Sequence, residues 1–218
     1  MAALRIVIAD DHPLFRDALR LTVAGSYPDA EIAEAQSFET LRDRLEAAPD
    51  TDLVLLDLKM PGMQGLSGLL FMRAAFAAVP VAIISAEEQQ SIVRRALELG
   101  AVGYIAKSTG ADGIRAALKV LLSGGMWAPD GVGKDESAAR DRSLAERLSR
   151  LTPQQIRVLM MLSEGHPNKK IAHALSVSEA TAKAHVSAIL EKLEVENRTQ
   201  AVILAREIAS LPEGAPPG

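Results

Sequence analysis

Short apolar runs alternate with amphipathic stretches through the first half of the chain. Leu4-Arg5-Ile6-Val7-Ile8-Ala9 reads as a strand that ends on Asp10-Asp11. His12-Pro13 then opens a helix, in which Phe15, Ala18, Leu19, Thr22 and Val23 recur at i, i+3, i+4, i+7 and i+8. A weaker strand, Glu31 to Ala35, precedes a helix from about Ser37 to Ala47. Leu53 to Leu56 is a fully apolar strand that ends on Asp57, with a Pro61-Gly62 turn and a helix from about Leu66 to Ala75 behind it. Pro80 to Ile84 ends on Ser85, and its helix carries Ile92, Val93, Ala96 and Leu97 before Gly100 stops it. Val102 to Ala106 ends just before Lys107, and Ile114, Ala117, Leu118, Leu121 and Leu122 form the last stripe. Five strand–helix units of this kind predict an α/β fold, a flavodoxin-like doubly wound five-stranded parallel sheet in the order 2-1-3-4-5.

Past Leu122 the period changes. Gly124-Gly125 and Pro129-Asp130-Gly131-Val132-Gly133 break regular structure, so residues 123–150 are expected to be a linker with a short helix around Leu144 to Leu148. Trp127, at its start, is expected to pack back onto the sheet domain. Thr152-Pro153-Gln154-Gln155 holds an N-cap Thr, a Pro at the first helical position and a Gln at the third, a capping box. Helices then follow from Asn168 to Leu175, from about Ser178 to Leu193 and from about Arg198 to Ala209. The chain thus divides into a sheet domain (1–122), the linker (123–150), a small all-α domain (151–211) and a Pro/Gly tail expected to be disordered (212–218).

Composition narrows the function classes. There is no Cys, which excludes a disulfide framework and thiolate metal sites and fits a reducing cytosol. No signal region and no apolar segment of about 18–20 residues is present, so a soluble cytoplasmic protein without a membrane partner is expected. Residues 1–122 carry 12 Lys and Arg against 16 Asp and Glu, and residues 151–218 carry 7 of each. Charge alone gives no sign of a nucleic-acid binder, so any contact with DNA must come from a few well-placed cations.

The chemistry gathers at strand ends. In the expected order strands 1 and 3 are neighbours at the switch point, where Asp10, Asp11 and Asp57 converge. Three close carboxylates repel one another unless a cation joins them, and oxygen ligands favour Mg²⁺. Lys107 can pair with phosphoryl oxygens and Ser85 can donate a hydroxyl to one, with Asp57 as nucleophile. Singly, each residue has an ordinary role as a cap or a solvated strand end. Jointly they form an ordered set: DD, D, S and K, each closing a different strand.

That set resembles the receiver domains of two-component response regulators over residues 4–122. The resemblance implies that Asp57 accepts a phosphoryl group from a histidine kinase. It implies Mg²⁺ bound by the Asp11 and Asp57 side chains and the Lys59 backbone carbonyl, with Asp10 beside it. It makes Ser85 the switch hydroxyl, Lys107 the lysine typical of the family, and Tyr104 the aromatic that turns inward when Ser85 moves. Gln64 stands where the family usually has Asp.

Residues 151–208 resemble the LuxR-type helix-turn-helix domain through Leu151-Thr152-Pro153, Gly165, Asn168-Lys169, Ile171-Ala172, Val177-Ser178, Thr181, Lys183, His185-Val186, Lys192-Leu193 and Arg198-Thr199. The pair of domains is identified as the NarL/FixJ class, with the third helix of this domain as recognition helix. Its outer face (Ala180, Lys183, Ala184, Ser187, Glu191) is narrow, with one cation, and suits a major groove. Lys183 is the base-edge candidate, with Ala184 and Ser187 beside it; Lys169, Thr181, His185, Lys192 and Arg198 are candidate phosphate contacts. Three departures stand out: Gln154-Gln155 for Arg-Glu, Ser176 for Gly before the recognition helix, and Ala182 for Val.

The expectation is a response regulator transcription factor, not an enzyme, in which phosphorylation of Asp57 controls dimerisation and sequence-specific DNA binding. The face made by the fourth helix, fifth strand and fifth helix of the sheet domain, with the linker, is the expected bistable element, either masking the recognition helix or preventing dimerisation. Ala201, Val202, Leu204, Ala205 and Ile208 are the expected dimerisation stripe. Expected partners are a histidine kinase, promoter DNA and a second copy on activation, with RNA polymerase a further candidate. The alternatives are a regulator acting through protein contacts alone, and an aspartyl phosphatase, which usually needs a second acid where Lys59 stands.

Overall fold

The computed structural model describes residues 3–63, 65–131 and 138–209. Five parallel strands, β1 (Arg5–Ala9), β2 (Glu31–Ala35), β3 (Leu53–Leu56), β4 (Val81–Ser85) and β5 (Gly103–Ala106), lie in the order β2-β1-β3-β4-β5. That is the expected doubly wound sheet. β3, β4 and β5 are buried along their whole length because helices cover both faces.

Alternation sorts the side chains. Ile6, Ile8, Leu55, Ala82 and Ile105 face α1 (Pro13–Ser26) and α5 (Ala111–Leu122), whose Leu19, Val23, Ala117 and Leu118 complete that core. Val7, Val54, Leu56, Val81 and Ile83 face the other way, against α2 (Phe38–Ala47), α3 (Ser67–Ala75) and α4 (Gln90–Glu98). Ser37 caps α2 through its hydroxyl, and Gly100, at φ +94°, ends the turn after α4.

Beyond α5 the chain returns to the sheet. Tyr104 N–H donates to the Trp127 carbonyl at 2.8 Å, and Gly103 bridges to Trp127 in parallel. The chain after the sheet domain therefore pairs along β5, and the Trp127 ring packs on the core, as expected. Gly103 allows this approach, since a Cβ there would lie 2.9 Å from the Trp127 carbonyl oxygen.

The helix expected around Leu144–Leu148 runs from Ala138 to Ser149 as α6. Leu144, Leu148 and Leu151, at i, i+4 and i+7, are buried, and α6 packs on α3 and α4. Only the two leucines suggested a helix in the sequence, because the rest of α6 is alanine and polar residues.

The last four helices are α7 (Pro153–Ser163), α8 (Asn168–Ala174), α9 (Glu179–Lys192) and α10 (Arg198–Ala209). The capping box of α7 forms in both directions: Gln155 N–H donates to Thr152 Oγ1 and Thr152 N–H to Gln155 Oε1. Between α8 and α9, Ser176 sits at φ +55°. Val177 N–H reaches back to the Ala172 carbonyl and Ser176 N–H to that of His173. This is a Schellman turn, where Gly is favoured, so the side chain of Ser176 is held in the left-handed region.

The two domains share one continuous core. α3 packs on α6 and α7, and Phe38 and Phe71 meet edge-to-face with ring centres 5.0 Å apart. A cavity of about 320 Å³ lies between Phe38, Met63 and Phe71 on one side and Ile156, Met160 and Met161 on the other. From α4, Arg95 Nη1 donates to the Glu207 carbonyl of α10 at 2.8 Å. Gln64, Val132-Gly133, the tail 212–218 and the Ile208 side chain lie outside the described residues.

Candidate functional site

The parallel register carries four chemical groups to one sheet edge. Asp10 follows β1 and Asp57 follows β3, with Asp57 N–H donating to the Ala9 carbonyl at 2.9 Å. Ser85 closes β4 and Lys107 follows β5, where its N–H donates to the Ser85 carbonyl at 2.7 Å. Asp10, Asp57 and Ser85 are buried. Lys107 Nζ reaches across the mouth, 2.8 Å from Asp57 Oδ2 and 2.8 Å from Asp10 Oδ2, and sits over the Phe15 ring.

Burial pushes the Asp57 carboxyl above the ordinary carboxylate range, and the Asp10 charge adds to this. The hydrogen bond from Lys107 works the other way and only partly offsets burial. For Lys107 burial pulls downwards, but the Asp10 and Asp57 carboxylates outweigh it and hold the ammonium above its ordinary value. The pocket is thus short of positive charge for the acids it contains.

Asp11 flanks the mouth, half-exposed, and Lys59 follows Asp57 in the turn, its backbone N–H bonded to the Asp57 carboxylate. The Lys59 ammonium turns aside to Glu87, 2.5 Å away. Asp10, Asp11, His12 and Asp57 each offer one ligand atom, all within 4.8 Å of one another. Asp10 Oδ2 is held by Lys107 Nζ at 2.8 Å, and Asp11 Oδ1 has the His12 ring nitrogen beside it at 2.7 Å. Such a donor set, mostly hard oxygens and three carboxylates against the one ammonium of Lys107, fits a divalent cation. His12 was missed in the sequence, where it counted only as the opener of α1; its position next to Asp10-Asp11 was the available signal.

Ser85 Oγ accepts from Glu87 N–H at 3.2 Å. Tyr104 is fully buried, and its hydroxyl donates to the Glu87 carbonyl at 2.5 Å. Burial raises the Tyr104 phenol to about 12. Ser85 and Tyr104 therefore meet at one residue, Glu87, in the loop between β4 and α4.

In the helical domain, Ala182, Val186, Ile189 and Leu193 are buried beneath α9. Thr181, Lys183, Ala184 and Ser187 form an exposed face, with Lys169 exposed on α8 and His185 half-buried. Ser178 caps α9 by accepting from Thr181 N–H. Lys192 and Arg198 are placed differently from Lys183. Lys192 Nζ donates to the Arg150 carbonyl and to Gln155 Oε1, at 2.8 and 2.9 Å. Arg198 donates to Asn168 Oδ1 and the His166 carbonyl, at 3.0 and 2.5 Å. Both cations tie helices together. On α10, Ala201 and Ala205 are fully buried, in the helix that packs on α7, and the exposed apolar residue is Ile203. Those two alanines of the expected dimerisation stripe are thus used within the domain, because small residues let α10 approach α7 closely.

Comparison with known proteins joins the two halves. The response regulator receiver domain profile matches residues 6–119, and that of bacterial regulatory proteins, luxR family, matches residues 149–205. The glycerol metabolism activator of Pseudomonas putida is 39% identical over 211 residues, covering 94% of this chain and 96% of that one. The nitrate/nitrite response regulator NarL of Escherichia coli K12 is 31% identical, covering 91% and 93%. Among solved structures, RcsB of Salmonella typhimurium superposes with a TM-score of 0.54 at 23% identity, covering 93% and 98%, a likeness of fold. A LuxR family DNA-binding response regulator from Silicibacter pomeroyi gives 0.52 at 29% identity, covering 58% of this chain and 98% of that one.

Proposed function

Since the chain belongs to the response regulators that join a receiver domain to a LuxR-type domain, we propose that phosphoryl transfer to Asp57 governs its action as a DNA-binding transcription regulator. The observation that carries this is the Lys107 ammonium held 2.8 Å from the buried Asp57 carboxylate, at the edge of a parallel sheet.

The donor is a phosphohistidine of a histidine kinase. An Asp57 oxygen attacks phosphorus, the P–N bond breaks, and the imidazole leaves and takes up a proton. Asp11, Asp57 and the Lys59 carbonyl would hold Mg²⁺, with Asp10 beside it; the ion supplies charge neutralisation at the attacked phosphoryl group. Lys107 shifts from the free carboxylate to a phosphoryl oxygen, and Ser85 Oγ leaves Glu87 N–H to donate to another. Tyr104, bonded to the same Glu87, feels that exchange directly.

The output is α9. Lys183 reads a base edge, flanked by Ala184 and Ser187, while Lys169, Thr181 and His185 contact phosphates. Lys192 and Arg198 serve this indirectly, since each fixes the helices that present α9. A second copy would match a two-fold DNA site.

The test is retention of genomic DNA fragments by wild type and Asp57→Asn, each with and without a small-molecule phosphodonor. The expected result is phosphodonor-dependent retention by wild type alone. Equal retention in all four arms would remove phosphate control, and retention in none would favour a regulator that works through protein contacts.

A further inference from the structure

We infer that the cavity between the two domains is a binding site for a small aromatic carboxylate, an input separate from the chemistry at Asp57. It draws on no residue of the acid pocket.

The walls come from both halves of the chain. Phe38, Met63 and Phe71 of the sheet domain face Ile156, Met160 and Met161 of α7 across about 320 Å³. Ligand pockets run from about 300 to 1,000 Å³, favour domain interfaces and are lined mainly by apolar and aromatic side chains. Phe38 and Phe71, edge-to-face, make a stiff aromatic wall. The three methionines are only half-buried, although each packs against the core, so their thioethers still show apolar surface. Unbranched thioethers adapt to a guest, and sulfur sits well against an aromatic ring. An aromatic occupant therefore suits this lining better than an aliphatic one.

Backbone choices keep the space open. Gly68 lies inside α3, where glycine is disfavoured, and a Cβ there would stand 2.5 Å from Met63 Sδ. Its missing side chain is what lets Met63 lie against α3 and reach the cavity. Gly62, at φ +89°, lines it too and likewise adds no side chain.

Charge at the lining gives the occupant its sign. Glu39 has Arg42 Nη2 4.0 Å away, and Glu164 has the His166 ring at 3.5 Å. Arg157 lines the same cavity one turn before Met160 and Met161, and among the described residues its side chain has no ion pair or hydrogen bond. An arginine beside an apolar cavity is a fork for a carboxylate, which it takes with two parallel bonds. A ligand with a ring for the thioethers and one carboxylate for Arg157 touches both domains at once. It stabilises this packing against any arrangement in which the domains part.

The experiment isotope-labels the methionine methyls of the full chain and titrates it, by nuclear magnetic resonance, with naphthoate and, separately, with its neutral amide. The chain has seven methionines, few enough for each methyl signal to be followed. The expected result is saturable, one-to-one binding of naphthoate that moves the Met63, Met160 and Met161 signals and leaves that of exposed Met126 in place. Arg157→Gln, at an exposed position, should weaken naphthoate about ten-fold, the loss of a charged hydrogen bond, and leave the weaker amide unchanged. Met160→Trp, which fills the cavity, should weaken both probes, with circular dichroism checking its fold. Equal affinity of acid and amide would remove the role of Arg157 and overturn the ligand class. Shifts confined to other methyls, or binding indifferent to both substitutions, would put the probe elsewhere and overturn the site. Absence of any saturable shift would overturn it outright.

Discussion

At Asp57 burial outweighs the attraction of Lys107, so the carboxyl holds its proton to higher pH in the folded chain than in the unfolded one. The sign follows directly. Protonation at this site favours the native state, so its contribution is complete below the ordinary carboxylate range, about pH 4, and is lost as pH rises through the elevated value. Metal-free Asp57→Asn, which cannot ionise there, should therefore melt above wild type at neutral pH, with the gap closing as pH falls. Thermal melts in a chelator across that range check it, and a gap independent of pH would contradict it. Ser176 offers a second residue-scale case. A side chain held at φ +55° costs on the order of 1 kcal/mol relative to Gly, so Ser176→Gly should raise stability by about that amount in urea unfolding. Both sites were legible in the sequence, Asp57 from the apolar run before it and Ser176 from the glycine it replaces. His12 was not, because a histidine before Pro13 reads first as a helix opener.

Elements show where legibility ends. Strands and sheet order could be read because every strand but β2 is short, apolar and closed by a polar group, and parallel connections leave few alternatives. α6 could be read only in part: its polar residues hide a helix whose order comes from α3 and α4. The fates of Lys192 and Arg198 were equally hidden, since a one-dimensional pattern does not tell an outward cation from one turned to a carbonyl. α9 is the element on which this matters most. Lys183 is its exposed cation, so Lys183→Ala should weaken specific DNA binding by about 1–3 kcal/mol while leaving the melting temperature unchanged. Lys192→Ala should do the opposite, lowering the stability of the helical domain because Gln155 Oε1 and the Arg150 carbonyl lose a charged donor. Fluorescence anisotropy on a selected DNA fragment, alongside thermal melts, separates the two.

At the scale of the molecule, the domains meet through α3 and α4 on one side and α6, α7 and α10 on the other, while the outer face of α9 stays open. Control by covering that face is therefore not the arrangement seen here; the contact from α4 falls on α10 instead. None of this was visible in sequence, because the faces that dock the domains carry the same aliphatic residues as the cores. Ile156, almost fully buried beside the interdomain cavity, tests how tightly the halves are coupled. Ile156→Ala should cost about 2–5 kcal/mol and split one calorimetric transition into two, the helical domain melting first. A single transition at lower temperature would mean that the halves unfold as one unit.

The pairing of Trp127 with β5 has a practical consequence for cutting this protein apart. An open parallel sheet ends in a row of unused amides and carbonyls, a template for adding strands from other molecules. Tyr104 N–H spends itself on Trp127, so the native chain blunts its own edge. A fragment trimmed at Leu122, where the last helix of the sheet domain stops, would leave that edge bare and should self-associate on concentration. One extended to Gly131 keeps the protecting segment and should elute as a monomer in size-exclusion chromatography.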